Sequence, residues 1–211
     1  MKIIKQSIIC LTPSNWYADY ARIIELAGRV CYKSEAKITD ETTHRFIRAL
    51  IKSGHESVLE HVSLTFRFIT DRAIANALVR HRHCSFSQES THYINYAKKK
   101  ELTFIHQMGV KDFIKYTKEL KTIEDNYFAC KEGHMQARAM LPLAMKTELV
   151  MTTNLREWRS ILKIRIFGKD HPQMTECMRK LYNWFKINMP IFVEDIEYDF
   201  GQRQDVFIDK E

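Results

Sequence analysis

Apolar positions recur at two periods along this chain, and the switches between them lay out its elements. From Val62 to Thr70, Val62, Leu64, Phe66 and Phe68 occupy every second position, the period of a strand with one buried face. Residues 2–10 (KIIKQSIIC) read as another strand. Helical spacing follows each. Ser14 is placed to cap a helix carrying Tyr17, Ile23, Leu26 and Val30, and Asp71 to cap DRAIANALVRHR with Ile74, Leu78 and Ala77 inward. The basic residues ending that second helix sit where its dipole favours cations. Further helices are predicted from about Asp40 (Phe46, Leu50, Ile51), from Val110 to Cys130 (Phe113, Ile114, Leu120, Ile123, Tyr127), from Leu155 to Phe167 and from Pro172 to Met189. A short helix ends near Pro142, a loop precedes the apolar stretch LTFIH, and Glu148–Thr153 fits a strand.

Strands and helices mix here without a regular βαβ alternation, which predicts an α+β fold: a mixed, largely antiparallel sheet flanked by helices. With no internal repeat, no linker and only 6 Gly and 4 Pro, residues 1–211 are expected to form a single domain. A length of 211 residues at 45% hydrophobic content is enough to close one core. No apolar run of membrane-spanning length and no signal-peptide pattern is present, so a cytoplasmic protein without membrane partners is expected. The five cysteines are scattered and never form CxxC, which suggests neither a disulfide framework nor a thiolate metal site. The formal charge of +7 adds an attraction for anions, whether nucleic acid, a membrane face or phosphorylated small molecules, and charge alone does not choose among them.

The densest chemistry lies at residues 80–93, RHRHCSFSQESTHY. Guanidiniums there offer forked donors to phosphate, while Ser, Gln and Glu suit the polar edge of a base or sugar. A merely basic loop at a helix end is the plain alternative. Upstream, GHESVLEH at residues 54–61 places two histidines among carboxylates. A zincin needs HExxH, but Leu59 occupies the position of the second histidine, so the spacing disfavours a metal, leaving a polar helix end as the plain reading. Downstream come ARAMLP (137–142) and TNLREWR (153–159), followed by Lys163 and Arg165. Arg156, Arg159 and Lys163 share a helix face there, which composition alone reads as a solvated charged surface.

Taken together, RHR then seven residues then Ser90, GHESVLEH, ARxxLP, TNxREW and an Arg nine residues past Arg156 resemble the flavin-dependent thymidylate synthases. The resemblance runs from Gly54 to about Gln173. It implies FAD as hydride carrier, NADPH or NADH as reductant, 5,10-methylenetetrahydrofolate as carbon donor and dUMP as the substrate methylated to dTMP. By the same resemblance, His55, Ser57, Arg80, His81, Arg82, His83, Gln88, Asn154, Arg156 and Ser160 fall to the flavin. Arg80, Gln88, Glu89, Ser90, His92, Arg138 and Arg165 fall to dUMP, and Arg165 is the catalytic residue against the uracil. No metal is implied. Members of that family are usually homotetramers with shared active sites.

Three positions depart from the family pattern. His92 stands where an Arg usually grips phosphate, Ala77 where Gln or Glu is common, and Ser160 where His or Asn is common. An imidazole is shorter and mostly neutral near pH 7, so the phosphate grip is expected to be weaker or more pH-dependent. These departures leave open compensating contacts, a different pyrimidine deoxynucleotide, or hydroxymethylation. A nucleic-acid-binding module is the rival from another class, resting on the charge, the Lys98–Lys100 run and the interleaved Phe86, Tyr93 and Tyr96. A metal hydrolase built on His55, His61, His81 and His83 is disfavoured by spacing. Ser90 as a hydrolase nucleophile is disfavoured because no GxSxG surrounds it.

Overall fold

A computed structural model describes residues 1–17, 19–166 and 171–196. The strands are β1 (Lys2–Ile4), β2 (Ser7–Cys10), β3 (Ser63–Asp71), β4 (Ser85–Gln88), β5 (Thr103–Ile105) and β6 (Lys146–Asn154). The helices are α1 (Ser14–Tyr17), α2 (Tyr20–Val30), α3 (Asp40–Lys52), α4 (Arg72–Leu78), α5 (Phe113–Ala129), α6 (His134–Ala137), α7 (Leu155–Arg165) and α8 (Pro172–Asn188). A 3-10 segment, Glu56–His61, bridges α3 and β3.

An antiparallel sheet in the order β2-β3-β6-β4 forms the frame, and a parallel pair, β1-β5, stands beside it. This agrees with the expected α+β class. Period-two alternation makes the sheet one-sided. Leu64, Phe66 and Phe68 of β3 and Leu149 and Met151 of β6 are all fully buried, while the alternate residues face outward. Trp158 of α7 closes the inner face, edge-on to Phe66 at 5.1 Å, and its indole N–H donates to the Leu64 carbonyl at 3.2 Å. Phe185 and Trp184 of α8 also pack on Phe66. A second, smaller core of Tyr96, Leu102, Phe104, Leu120, Tyr127, Ala137 and Met145 lies where β5 meets α5 and α6.

Several expectations are corrected. Residues 2–10 form two strands in different sheets, because Gln6 is buried between them. Its amide donates to the Gln173 carbonyl at 2.8 Å and to Glu176, and accepts from Thr70 Oγ1 at 2.9 Å. The helix expected from Ser14 to Val30 is two helices. In α2 the apolar Ile23, Leu26 and Val30 are all between 44% and 47% exposed, while Tyr20, Ile24, Glu25 and Gly28 face the core. Gly28 lets α3 approach, since a Cβ there would meet the Phe46 ring at 2.8 Å. Helix α4 stops at Leu78, leaving the RHR residues in a turn, and residues 85–88, expected as loop, form β4. Helix α5 begins at Phe113, with Phe113 and Ile114 exposed, and β6 extends beyond the strand expected at Glu148–Thr153. Phe167, the predicted end of α7, lies outside the described residues.

Asp71 caps α4 as expected. Its Oδ1 accepts from the Ile74 N–H and its Oδ2 from Gln107 Nε2, each at 2.8 Å. Because Asp71 is buried, Asp71→Ala leaves the Ile74 N–H without its acceptor and Gln107 Nε2 with only the Ile105 carbonyl, and is expected to cost about 2 kcal/mol in urea unfolding. A loss under about 0.5 kcal/mol would show that water replaces the carboxylate.

Candidate active site

The RHR turn grows directly out of α4. The backbone N–H groups of Arg80 and His81 close its last turn on the Ala77 and Leu78 carbonyls at 3.4 and 3.1 Å. Arg80, Arg82 and His83 are exposed, and among the described residues their side chains have no hydrogen-bond or ion-pair partner. His81 points the other way. Its Nε2 accepts from Arg165 Nε at 3.2 Å, its Nδ1 lies 3.6 Å from Glu157 Oε1, and Arg165 Nη2 donates to the Ala77 carbonyl at 3.5 Å. The turn therefore presents cations to solvent while one imidazole anchors it to α7.

Strand β4 continues the turn along the edge of the sheet. Ser85 and Ser87 pair with Thr152 and Val150 on the outward face, while Phe86 and Gln88 pair with Met151 and Leu149 on the inward face. A solvent-open hollow of about 340 Å³ sits at the start of β4, lined by Ser63, Arg82, His83, Cys84, Ser85, Thr152, Thr153 and Asn154. Thr153 Oγ1 fastens the turn to β6 by donating to the His83 carbonyl at 2.7 Å. Burial pushes the Cys84 thiol pKa up, which keeps it protonated. Gln88 Nε2 is buried with no partner among the described residues.

Beyond β4, Glu89 is braced by Tyr96 OH at 2.8 Å and Lys146 Nζ at 2.9 Å. Burial and the Glu89 carboxylate together push the Tyr96 phenol well above its ordinary range. Burial works against the charge on Lys146, yet Glu148 and Glu89 hold its ammonium above the usual lysine value. Ser90 Oγ accepts from the His92 N–H at 3.1 Å, a local turn. His92 is exposed and lies edge-on to Tyr93 at 4.7 Å.

The GHESVLEH segment packs on α7. Glu56 pairs with Arg159 at 3.2 Å and Lys163 at 3.3 Å, and Glu60 pairs with Arg156 at 2.5 Å. His55 and Ser57 are exposed beside these pairs. Arg159 corrects the expectation of a solvated charged face. It is 1% exposed and grips Asp195 through two hydrogen bonds of 2.7 Å and the Phe192 carbonyl through another, so it is a structural anchor. Asn154 Oδ1 caps α7 on the Glu157 N–H at 2.9 Å, leaving its amide NH₂ toward the hollow's rim. Ser160 and Arg138 are half-buried, and neither side chain has a partner among the described residues.

The chain thus brings Arg82, His83 and Asn154 to one hollow and joins His81 to Arg165. Glu89, Ser90 and His92 lie past the far end of β4, about 10 Å away along the strand. His55 and Ser57 stand at the start of the Glu56–His61 segment, beside Arg156 in the first turn of α7, and Arg138 stands apart after α6. No three His, Cys, Asp or Glu side chains converge as a metal site among the described residues. Sequence reasoning missed Ser63 and Thr152, whose outward placement follows from the period of β3 and β6. It also named Tyr96 only as an aromatic among basic residues, not as the partner of Glu89, and missed Lys146 and Glu157. Only Glu157 left a trace, since Asn154 as cap puts it at the third helical position.

The model of the thymidylate synthase complementing protein family matches residues 15–191. A flavin-dependent thymidylate synthase from Mycolicibacterium gilvum (strain PYR-GCK) is 31% identical, with 79% of this chain and 78% of that protein covered. One from Mycobacterium tuberculosis (strain ATCC 25618 / H37Rv) is also 31% identical, over 75% of this chain and 74% of that protein. This chain belongs to the flavin-dependent thymidylate synthase family. Solved structures agree on the fold. Thymidylate synthase X from Helicobacter pylori, with FAD and dUMP, superposes with a TM-score of 0.73 at 21% identity, covering 90% of this chain and 98% of that one. A UMP/dUMP methylase from Streptomyces cacaoi bound with 5-Br dUMP gives 0.72 at 21% identity, over 92% and 96%. As a member of the flavin-dependent thymidylate synthases, the chain keeps its RHR residues on a turn whose Arg80 and Arg82 side chains are unpaired among the described residues.

Proposed function

We propose that this chain methylates dUMP to dTMP reductively, with FAD carrying the hydride, NADPH or NADH supplying it, and 5,10-methylenetetrahydrofolate donating the carbon. The observation that carries this reading is the RHR turn, which holds Arg80 and Arg82 exposed beside a polar hollow and, among the described residues, without carboxylate partners. Uncompensated guanidiniums repel one another and need an anion, and a dinucleotide pyrophosphate or a nucleotide phosphate supplies one. The orphaned Gln88 amide and the free NH₂ of Asn154 are donors that suit the polar edge of a flavin or pyrimidine ring. His55, Ser57, Arg80, His81, Arg82, His83, Gln88, Asn154, Arg156 and Ser160 are proposed to hold the cofactor. Arg80, Gln88, Glu89, Ser90, His92 and Arg138 are proposed to hold dUMP.

Bound FAD supplies hydride transfer. The residues do the remaining work by charge and position. Arg80, Arg82 and His83 stabilise negative charge as it accumulates near them. Arg165, facing uracil N3 and its flanking carbonyl, favours the ionised ring and so raises electron density at C5. Arg138 and His92 grip the phosphate.

A single domain spanning 1–211 is proposed to assemble as a homotetramer in the cytoplasm, with active sites shared between subunits. Two observations support assembly: the proposed site residues are spread over separate surfaces, and Trp16, Ile23, Leu26, Val30 and Tyr32 are exposed near one another in sequence. Among the described residues, no helix is long and apolar enough to cross a membrane.

The test is visible absorption of the purified protein, followed by anaerobic NADPH with and without dUMP. Flavin bands that bleach, with dTMP formed once the folate donor is added, are the expected outcome. Failure to bind FAD in excess, with affinity for nucleic acid that falls steeply as salt rises, overturns the reading in favour of the basic binding module.

A further inference from the structure

Arg165 has only donors, so the ring nitrogen it meets must accept. At 3.2 Å from Arg165 Nε, His81 Nε2 is therefore unprotonated, and the neutral ring carries its proton on Nδ1. That nitrogen faces Glu157 Oε1 at 3.6 Å, beyond a direct hydrogen bond but within close charge range. The His81 and Glu157 side chains are only 9% and 17% exposed, so water screens the contact weakly.

Glu157 is placed for this by the fold. The Asn154 cap makes it the third residue of α7, where a Glu commonly turns back to bond the N-cap N–H. Here the cap is one-sided and the carboxylate reaches across to the RHR turn. The same carboxylate pushes on the Cys84 thiol, after burial and a bond to Thr153, so it stands behind both ends of the His81–Cys84 stretch.

We infer that Glu157 is the positioning residue of this site: it holds His81 as the Nδ1–H tautomer, so that Nε2 stays open to receive Arg165 and aim its guanidinium. The other tautomer would put an N–H against the Arg165 N–H and release the arginine from the turn. Ala77 contributes its carbonyl to the same guanidinium, so Arg165 is steered from two sides of one turn. This inference rests on the proposed function for its kinetic consequence but not for its structural content.

The experiment uses Glu157→Ala and Glu157→Gln in the full chain with FAD bound, and reads both turnover and the ¹⁵N shifts of the His81 ring, assigned with His81→Gln. In the parent protein the expected signature is a protonated Nδ1 and a bare Nε2. E157A is expected to mix the tautomers and lower kcat roughly tenfold, about 1.4 kcal/mol of barrier, with flavin content unchanged. E157Q keeps an acceptor and is expected to restore the single tautomer and most of the rate. A parent-like His81 signature in E157A overturns the inference, whatever the rate. So does a rate loss in E157A accompanied by loss of folding while E157Q shows parent-like folding and mixed tautomers. If the parent protein does not form dTMP, the proposed function fails, and the ring signature alone then decides the role of Glu157.

Discussion

Replacing Arg165 with alanine is expected to lower dTMP formation about 100-fold or more, the scale of removing one preorganised charge from a transition state. Bound FAD should be retained, because the cations of the RHR turn do not depend on Arg165 for their exposure. Arg165→Lys separates charge from shape. An ammonium keeps the positive sign but not the fork that reaches His81 and the Ala77 carbonyl together. Its deficit is expected to be smaller than that of alanine but still about tenfold. Product measured by chromatography, alongside the ratio of flavin to protein absorbance, checks both. If the alanine variant turns over within about threefold of the parent, Arg165 is not the residue that activates the pyrimidine.

The largest effect on stability is expected at Arg159. Its guanidinium is buried against Asp195, Glu56 and the Phe192 carbonyl, tying α7 to the chain after α8. Arg159→Ala takes the donor from the Phe192 carbonyl and leaves Asp195 and Glu56 with Lys163 alone, and breaking such a buried pair costs about 3 kcal/mol, since Asp195 keeps some contact with water. For a chain of this size that is a fall in Tm of roughly 6–12 °C, readable by calorimetry. The pH dependence follows from the carboxylate. Burial works against the charge on Asp195, but the hydrogen bonds from Arg159, helped by Lys163, outweigh it and hold its pKa below the ordinary aspartate value. A folded-state pKa that is depressed stabilises above the unfolded value, about 3.9, and that stability is lost as pH falls through the folded value. The parent protein should therefore lose stability on acidification below about pH 4 more steeply than the alanine variant. Parallel curves would falsify the pairing as the source of that slope.

Much of the frame was legible because it rests on period and caps. Val62 to Thr70 alternated cleanly, and the Asp71 cap marked the start of the helix that follows. What failed were judgements that need a partner to be known. The stripe of Ile23, Leu26 and Val30 carried the helical period, yet the side of α2 that faces α3 is the one with Gly28, where backbone approach is possible. KIIKQSIIC looked continuous because nothing in it marks Gln6 as a buried crosspoint. SFSQ was too short and too polar to declare itself a strand before β6 was there to pair with it. At the site, the RHR turn and its flanking residues were named from their order. The division of labour within it, exposed Arg80 and Arg82 against an inward His81, depends on Glu157 and Arg165, which arrive from a helix far along the chain. Arg159 was grouped with exposed neighbours because helical spacing alone cannot tell a groove from a surface.

The Gln6 crosspoint bears on how the chain is made. Its amide joins the carbonyl of Gln173 across a sequence separation of 167 residues. Strands β1 and β2 are thus fastened by a helix that is made much later. Nor can the central pairing of β3 with β6 close until the residues after Met145 are available. Contacts this distant carry the entropy of large loops and slow the search for the native arrangement. During synthesis, the RHR turn and β4 emerge long before the strand that will hold them, with Phe66 and Phe68 unburied beside them. Closure of this sheet therefore waits for β6 and α8, and a nascent chain stalled before them is expected to leave Phe66 and Phe68 open to chaperones and to aggregation.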